Sequence, residues 1–98
     1  MPAKLTKNQH HYLRGLCHNL QPVVMVADKG LSENVRHEID LALNSHELIK
    51  VKLRAERDER SQLINTIIAD FRVELVQKIG QVACFYRKNK EQQKIALP

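Results

Sequence analysis

The residues with most chemistry to offer are cationic and regularly spaced. Lys50, Lys52 and Arg54 alternate with Ile49, Val51 and Leu53 in the segment 47–54, which is the two-residue period of a strand with one core face and one basic face. Leu48 falls on the basic side. Along such a strand the three cations stand ~7 Å apart, comparable to successive phosphates on a nucleic-acid chain. A second candidate is Ala27-Asp28-Lys29-Gly30, between an apolar run and a helix start, where free backbone N–H groups favour a phosphate. Lys29 would add a mobile positive charge there. Lys4, Lys7 and Arg14, with Arg87, Lys88, Lys90 and Lys94, could extend the basic character. Each pattern also has a plainer explanation. Alternating lysines keep a strand face soluble and protect an edge, and a turn ending on Gly30 is an ordinary strand-to-helix connection. Asp28 argues mildly against a bound phosphate.

Other chemistries find no constellation. His10 and His11 are neighbours that point about 100° apart on a helix, and His18, His37 and His46 lack ligand spacing with Cys17 or Cys84, so neither a metal site nor another cofactor is expected. His18 and His46 fall near helix ends, where an imidazole bonds the last carbonyls. Ser32, Ser45 and Ser61 sit in no nucleophile elbow, Asp58-Glu59 suits a helix start better than a paired-carboxylate site, and the Walker and G-x-G-x-x-G loops are absent. The aromatic residues are few. Phe71 belongs with the core and only Tyr12 and one of Phe85 or Tyr86 could stack on bases, which favours backbone and shape contacts over base readout.

A chain of 98 residues builds one hydrophobic core and one domain. With 43% hydrophobic and 28% charged residues, it lies in the globular range rather than the disordered or fibrous one. The net charge of +5 favours a polyanionic partner. That charge is concentrated in residues 1–31, 48–60 and 81–98, whereas residues 32–47 are acidic. Two isolated cysteines make no disulfide framework. The longest apolar run, 23–27, is far short of the ~20 residues a membrane span needs. A reduced, cytoplasmic protein without membrane association, monomeric by default, is therefore expected.

Periodicity supplies the elements that must position the cations. A helix over 7–17 starts at a Thr6-x-x-Gln9 capping box and carries Leu13, Leu16 and Cys17 on its apolar face. Pro22 opens a strand over 23–27 whose residues, apolar on both sides, imply cover on both faces. Ser32 caps a second helix with Val35, Ile39, Ala42 and Leu43 on one face. After the 47–54 strand, the polar stretch 55–60 leads into a third helix with Leu63, Ile64, Ile67, Ile68 and Phe71 at helical spacing. Strands over 73–79 and 82–87 join at Gly80-Gln81, a pair suited to a type II′ turn, and residues 88–98 read as a basic tail. The order is helix-strand-helix-strand-helix-strand-strand, an α/β (α+β two-layer) layout. Two crossovers through helices imply mostly parallel strands. If both run the same way across the sheet, the second and third helices share one face and the cationic side of 47–54 is left at least partly open.

Three blocks, residues 13–24 (LRGLCHNLQPVV), 29–35 (KGLSENV) and 46–52 (HELIKVK), with the closing Tyr86-Arg87, closely resemble the CRM domain (chloroplast RNA splicing and ribosome maturation) in its stand-alone bacterial form, the YhbY family. The resemblance covers nearly the whole chain. It implies a four-stranded mixed sheet similar to the C-terminal domain of translation initiation factor three, an RNA-binding module, and association with ribosomal RNA in precursors of the large subunit. In that family the loop after the first strand is a G-x-x-G loop, likened to the backbone clamp of KH domains. Here Ala27 stands at its first position and only Gly30 is retained, so a KH-like path requires Ala27 to avoid a conformation reserved for glycine. The expected RNA contacts are Lys29 and Gly30, with Ala27 and Asp28 as loop members, the ridge Lys50, Lys52 and Arg54, and the flanking Lys7, Arg14, Arg87 and Lys88. The alternative is a protein-interaction domain that docks an acidic partner, such as a ribosomal protein, through the same ridge. No catalytic role is implied.

Overall fold

The computed structural model describes residues 5–89 and 91–98, so Lys4 and Lys90 lie outside the described residues. Its elements follow the expected order: α1 (Lys7–Cys17), β1 (Pro22–Val26), α2 (Glu33–His46), β2 (Leu48–Leu53), α3 (Arg57–Phe71), β3 (Glu74–Ile79) and β4 (Val82–Tyr86). Local chemistry accounts for the boundaries. Thr6 and Gln9 exchange two hydrogen bonds of 3.1 Å as a capping box, and the Val35 N–H donates to the Ser32 hydroxyl at 3.3 Å. The third helix starts within the polar stretch, at Arg57, which puts Asp58 and Glu59 in its first turn, where they complement the dipole. Gly80 takes φ 55° while Gln81 stays at negative φ, the sign pattern of a type II′ hairpin.

The sheet order is β1-β2-β4-β3. Only β1 and β2 are parallel neighbours; β4 pairs antiparallel with both β2 and β3. The expectation of mostly parallel pairing is corrected on this point. Because the two-residue turn makes β4 the antiparallel partner of β3 and β4 also pairs with β2, it sits between two strands that run the same way.

One core fills the face covered by α2 and α3, with Val24, Val26, Ile49, Val51, Leu53, Ala83 and Phe85 from the sheet meeting Ile39, Leu43, Ile64 and Ile67. A second, smaller core lies under α1, where Leu13 and Cys17 meet Leu48, Val76, Cys84 and Tyr86. Beyond the two layers expected from sequence, α1 thus adds a partial third. The supposed basic tail also packs there. Ile95 and Leu97 join the second core, and Glu47, fully buried, accepts backbone N–H bonds of 2.6 Å from Asn89, Lys94 and Ile95. Glu47 belongs to the C-cap of α2, at φ 63°, rather than to the strand assigned to it from sequence.

Cys17 and Cys84 are buried free thiols. The Cys17 thiol is pushed up, first by its hydrogen bond with Cys84 and then by burial. Tyr86 is buried beside them, and its hydroxyl has no hydrogen-bond partner among the described residues. Burial, then the nearby Glu47 carboxylate, raises its pKa above the ordinary tyrosine value. The fold therefore favours the protonated phenol, so the group's ionisation costs no stability at neutral pH and lowers it as pH climbs through the alkaline range. Tyr86→Phe should raise stability by about 1 kcal/mol and remove that alkaline loss. Melting curves at neutral and alkaline pH check this; a variant that melts lower than the parent at neutral pH would contradict it.

Candidate nucleic-acid interface

Register places the cationic residues of β2 in rows that cross the sheet on its α1 side. The outermost row is Met25–Lys52–Val82–Ile79 and the next is Pro22–Lys50–Cys84–Gln77. Beyond them Leu48 pairs with Tyr86 under α1. Cover increases in the same order: Lys52 is exposed, Lys50 half-buried and Leu48 buried. The basic side of β2 is thus closed at one end by α1 and open at the other.

Two of the sequence-predicted features turn out to be one surface. The Arg54 backbone N–H donates to the Val26 carbonyl at 2.8 Å, which continues the β1–β2 pairing and sets Arg54 beside the loop that follows β1. Ala27, Asp28 and Arg54, with Ala55, Glu56, Arg60 and Gln81, line an open hollow of about 510 Å³. Lys29 is exposed at the tip of the loop. The hollow carries both signs of charge, and one arginine, Arg60, is engaged with the Ala55 carbonyl at 2.7 Å.

The loop geometry answers the question raised by Ala27. The Gly30 N–H donates to the Ala27 carbonyl at 2.8 Å, closing a four-residue turn. Gly30 adopts φ 62°, whereas Ala27 stays outside the positive-φ region. Glycine is required only at the second of the two positions. A Cβ on Gly30 would meet nothing within 4 Å, so Gly30→Ala should cost only the backbone term, about 1 kcal/mol. Ala27→Gly should restore no missing conformation and should lose about 0.5 kcal/mol through the more flexible unfolded chain. Urea denaturation of both variants checks the pair; a stabilised Ala27→Gly variant would mean that the turn strains Ala27.

Ion pairing separates the remaining cations. Among the described residues the two ion pairs are Arg36–Asp70 and Arg87–Asp40, both on the α2/α3 side. The Arg87 guanidinium also donates to Asn44 and to the Phe71 carbonyl, tying the end of β4 to both helices. It therefore does not extend the ridge, against the sequence-based expectation. Lys29, Lys50, Lys52, Arg54, Lys7 and Arg14 are in no ion pair among the described residues. Lys7 and Arg14 lie seven residues apart on nearly one line along α1, both exposed. The first turn of α1 holds no acidic residue, although a helix N-terminus favours one. His18, the C-cap of α1, lines a hollow with Lys50 and Gln77. Lys88 is exposed just past β4.

Sequence reasoning missed the apolar side of this surface. Met25 is 50% exposed and Ile79 62%, yet the run containing Met25 reads as a strand covered on both faces. That expectation fails because β1 pairs only with β2, at the sheet edge, and α1 packs on the other strands. Among the described residues, no three His, Cys, Asp or Glu side chains gather into a metal-holding group.

A family model described as the CRS1 / YhbY (CRM) domain matches residues 5–87. The chain is 50% identical over 86 residues to the Pseudomonas aeruginosa protein named "Probable RNA-binding protein PA4753", covering 87% of this chain and 83% of that one. It is 45% identical over 95 residues to a Haemophilus influenzae protein named "RNA-binding protein", covering 96% and 95%. The solution structure of SAV1595 from Staphylococcus aureus, described as a candidate RNA-binding protein, superposes with a TM-score of 0.81 at 40% identity, covering 97% of this chain and all of that one. By this match and these relatives, and with its four-stranded mixed sheet and three helices, the chain belongs to the CRS1/YhbY (CRM) domain family.

Proposed function

We propose that this chain is a non-catalytic RNA-binding protein. It grips phosphates along the surface that runs from Lys29 and Gly30 through Arg54 to Lys52 and Lys50, with Lys7, Arg14 and Lys88 at its margins. The observation that carries the reading is the joining of loop and ridge by the Arg54–Val26 hydrogen bond. It sets Arg54 beside the 27–30 loop, and Lys29, Arg54, Lys52 and Lys50 are in no ion pair among the described residues, whereas Arg36 and Arg87 are paired with carboxylates of α3 and α2. Several phosphates of one chain can then be neutralised together. The names of the relatives as RNA-binding proteins support the same partner.

The RNA we assign is ribosomal, within precursors of the large subunit, following the family resemblance. The test is sedimentation of a cell extract with the protein traced through the ribosomal fractions. Co-migration with immature large subunits at low salt, lost at high salt, is the expected result. An even distribution among free proteins at every salt concentration would overturn the ribosomal assignment.

A further inference from the structure

The outermost row of the sheet, Met25–Lys52–Val82–Ile79, combines two properties that a phosphate clamp alone does not need. Its flanks are apolar and open, with Met25 and Ile79 each at least half exposed, and its centre is a lysine without an ion pair among the described residues. Neither this row nor the one behind it contains a carboxylate.

The spacing narrows the occupant. Lys52 and Lys50 follow each other ~7 Å apart along β2, whereas Met25 lies one strand to one side of Lys52, and Val82 and Ile79 lie one and two strands to the other, ~5 Å per strand. A fitting ligand carries negative charges at ~7 Å intervals and flat apolar faces that splay sideways from that line. A single strand of RNA has this form. A duplex does not, because its base faces are stacked inside the helix and it offers phosphates and sugar edges.

Resting on the RNA-binding reading, we propose that the open half of the sheet takes unpaired RNA, with phosphates on Lys50 and Lys52 and unstacked bases packed against Met25 on one side and Val82 and Ile79 on the other. The aliphatic platform replaces the aromatic one that single-strand binders commonly use, so bases are held by contact area, with little choice among them.

The experiment compares the full chain with the Met25→Ala/Ile79→Ala variant, both positions being exposed, in binding a single-stranded RNA and a duplex of about 12 nucleotides or base pairs over a range of salt. The proposal predicts that the variant loses about tenfold in single-strand affinity, keeps the parental slope of log K against log salt, and binds duplex as the parent does. Unchanged single-strand affinity would overturn it, as would an equal loss on the duplex or a parent that prefers duplex. The first of these results would leave the face to a protein partner. A parent that binds neither RNA would instead remove the RNA-binding reading, and this proposal with it.

Discussion

Replacing Glu47 with alanine is expected to lower stability by about 3 kcal/mol and to release the C-terminal segment from the body of the protein. The carboxylate accepts three backbone N–H groups, from Asn89, Lys94 and Ile95, in a fully buried position. A buried donor left without its acceptor costs about 1–3 kcal/mol. The loss stays below the sum of three such terms because the segment can swing into water and rehydrate its amides. Its departure also uncovers the second core where Ile95 and Leu97 pack. Glu47 serves the backbone as well: its N–H donates to Leu43 and its carbonyl accepts from Arg87. Its φ of 63° is a conformation that only such a set of bonds would maintain. Glu47→Gln keeps one acceptor oxygen against three donors and should lose about half as much. Urea denaturation measures the stability, and limited proteolysis reports the segment. A Glu47→Ala variant that loses under about 1 kcal/mol and keeps its C-terminus protected would show that the anchor does not hold.

The second large effect concerns the ridge. Lys50→Glu with Lys52→Glu should weaken RNA binding by about 10²-fold at 0.1 M salt, since each lost phosphate contact removes about 0.7–0.9 from the slope of log K against log salt and each new carboxylate adds repulsion. The slope should flatten by about 1.5 in the double variant. Lys52 is exposed and Lys50 half-buried, so the fold should survive the change; circular dichroism confirms it. A folded double variant with parental affinity and slope would remove the ridge from the RNA site.

Local patterns carried much of this fold. The capping box at Thr6 and Gln9, the cap at Ser32, the alternation through Leu53 and the Gly80-Gln81 turn depend on residues close together in the chain, and each appears in the structure as read. What could not be read depends on contacts between distant segments. The insertion of β4 between β2 and β3 follows from pairing choices that no periodicity records. Arg87 has the composition of a ligand residue, but its partners Asp40, Asn44 and Phe71 are at least 16 residues away. Glu47 continues the alternation of β2 in sequence and leaves it in space, because a positive φ at the end of α2 turns its side chain toward a segment more than 40 residues on. The same limit hid the open surface. Whether Met25 is covered depends on where α1 comes to rest.

The continuity of the loop, Arg54 and the ridge as one RNA surface is most directly tested by following backbone amide resonances of the isotope-labelled protein during titration with single-stranded RNA. The expected shifts grow together at Lys29, Gly30, Lys50, Lys52 and Arg54, extend to Met25 and Ile79, and leave His37, Leu41 and Asp70 on the α2/α3 side unmoved. Shifts confined to that opposite side, or none along β2 and the 27–30 loop while RNA is demonstrably bound, would contradict it.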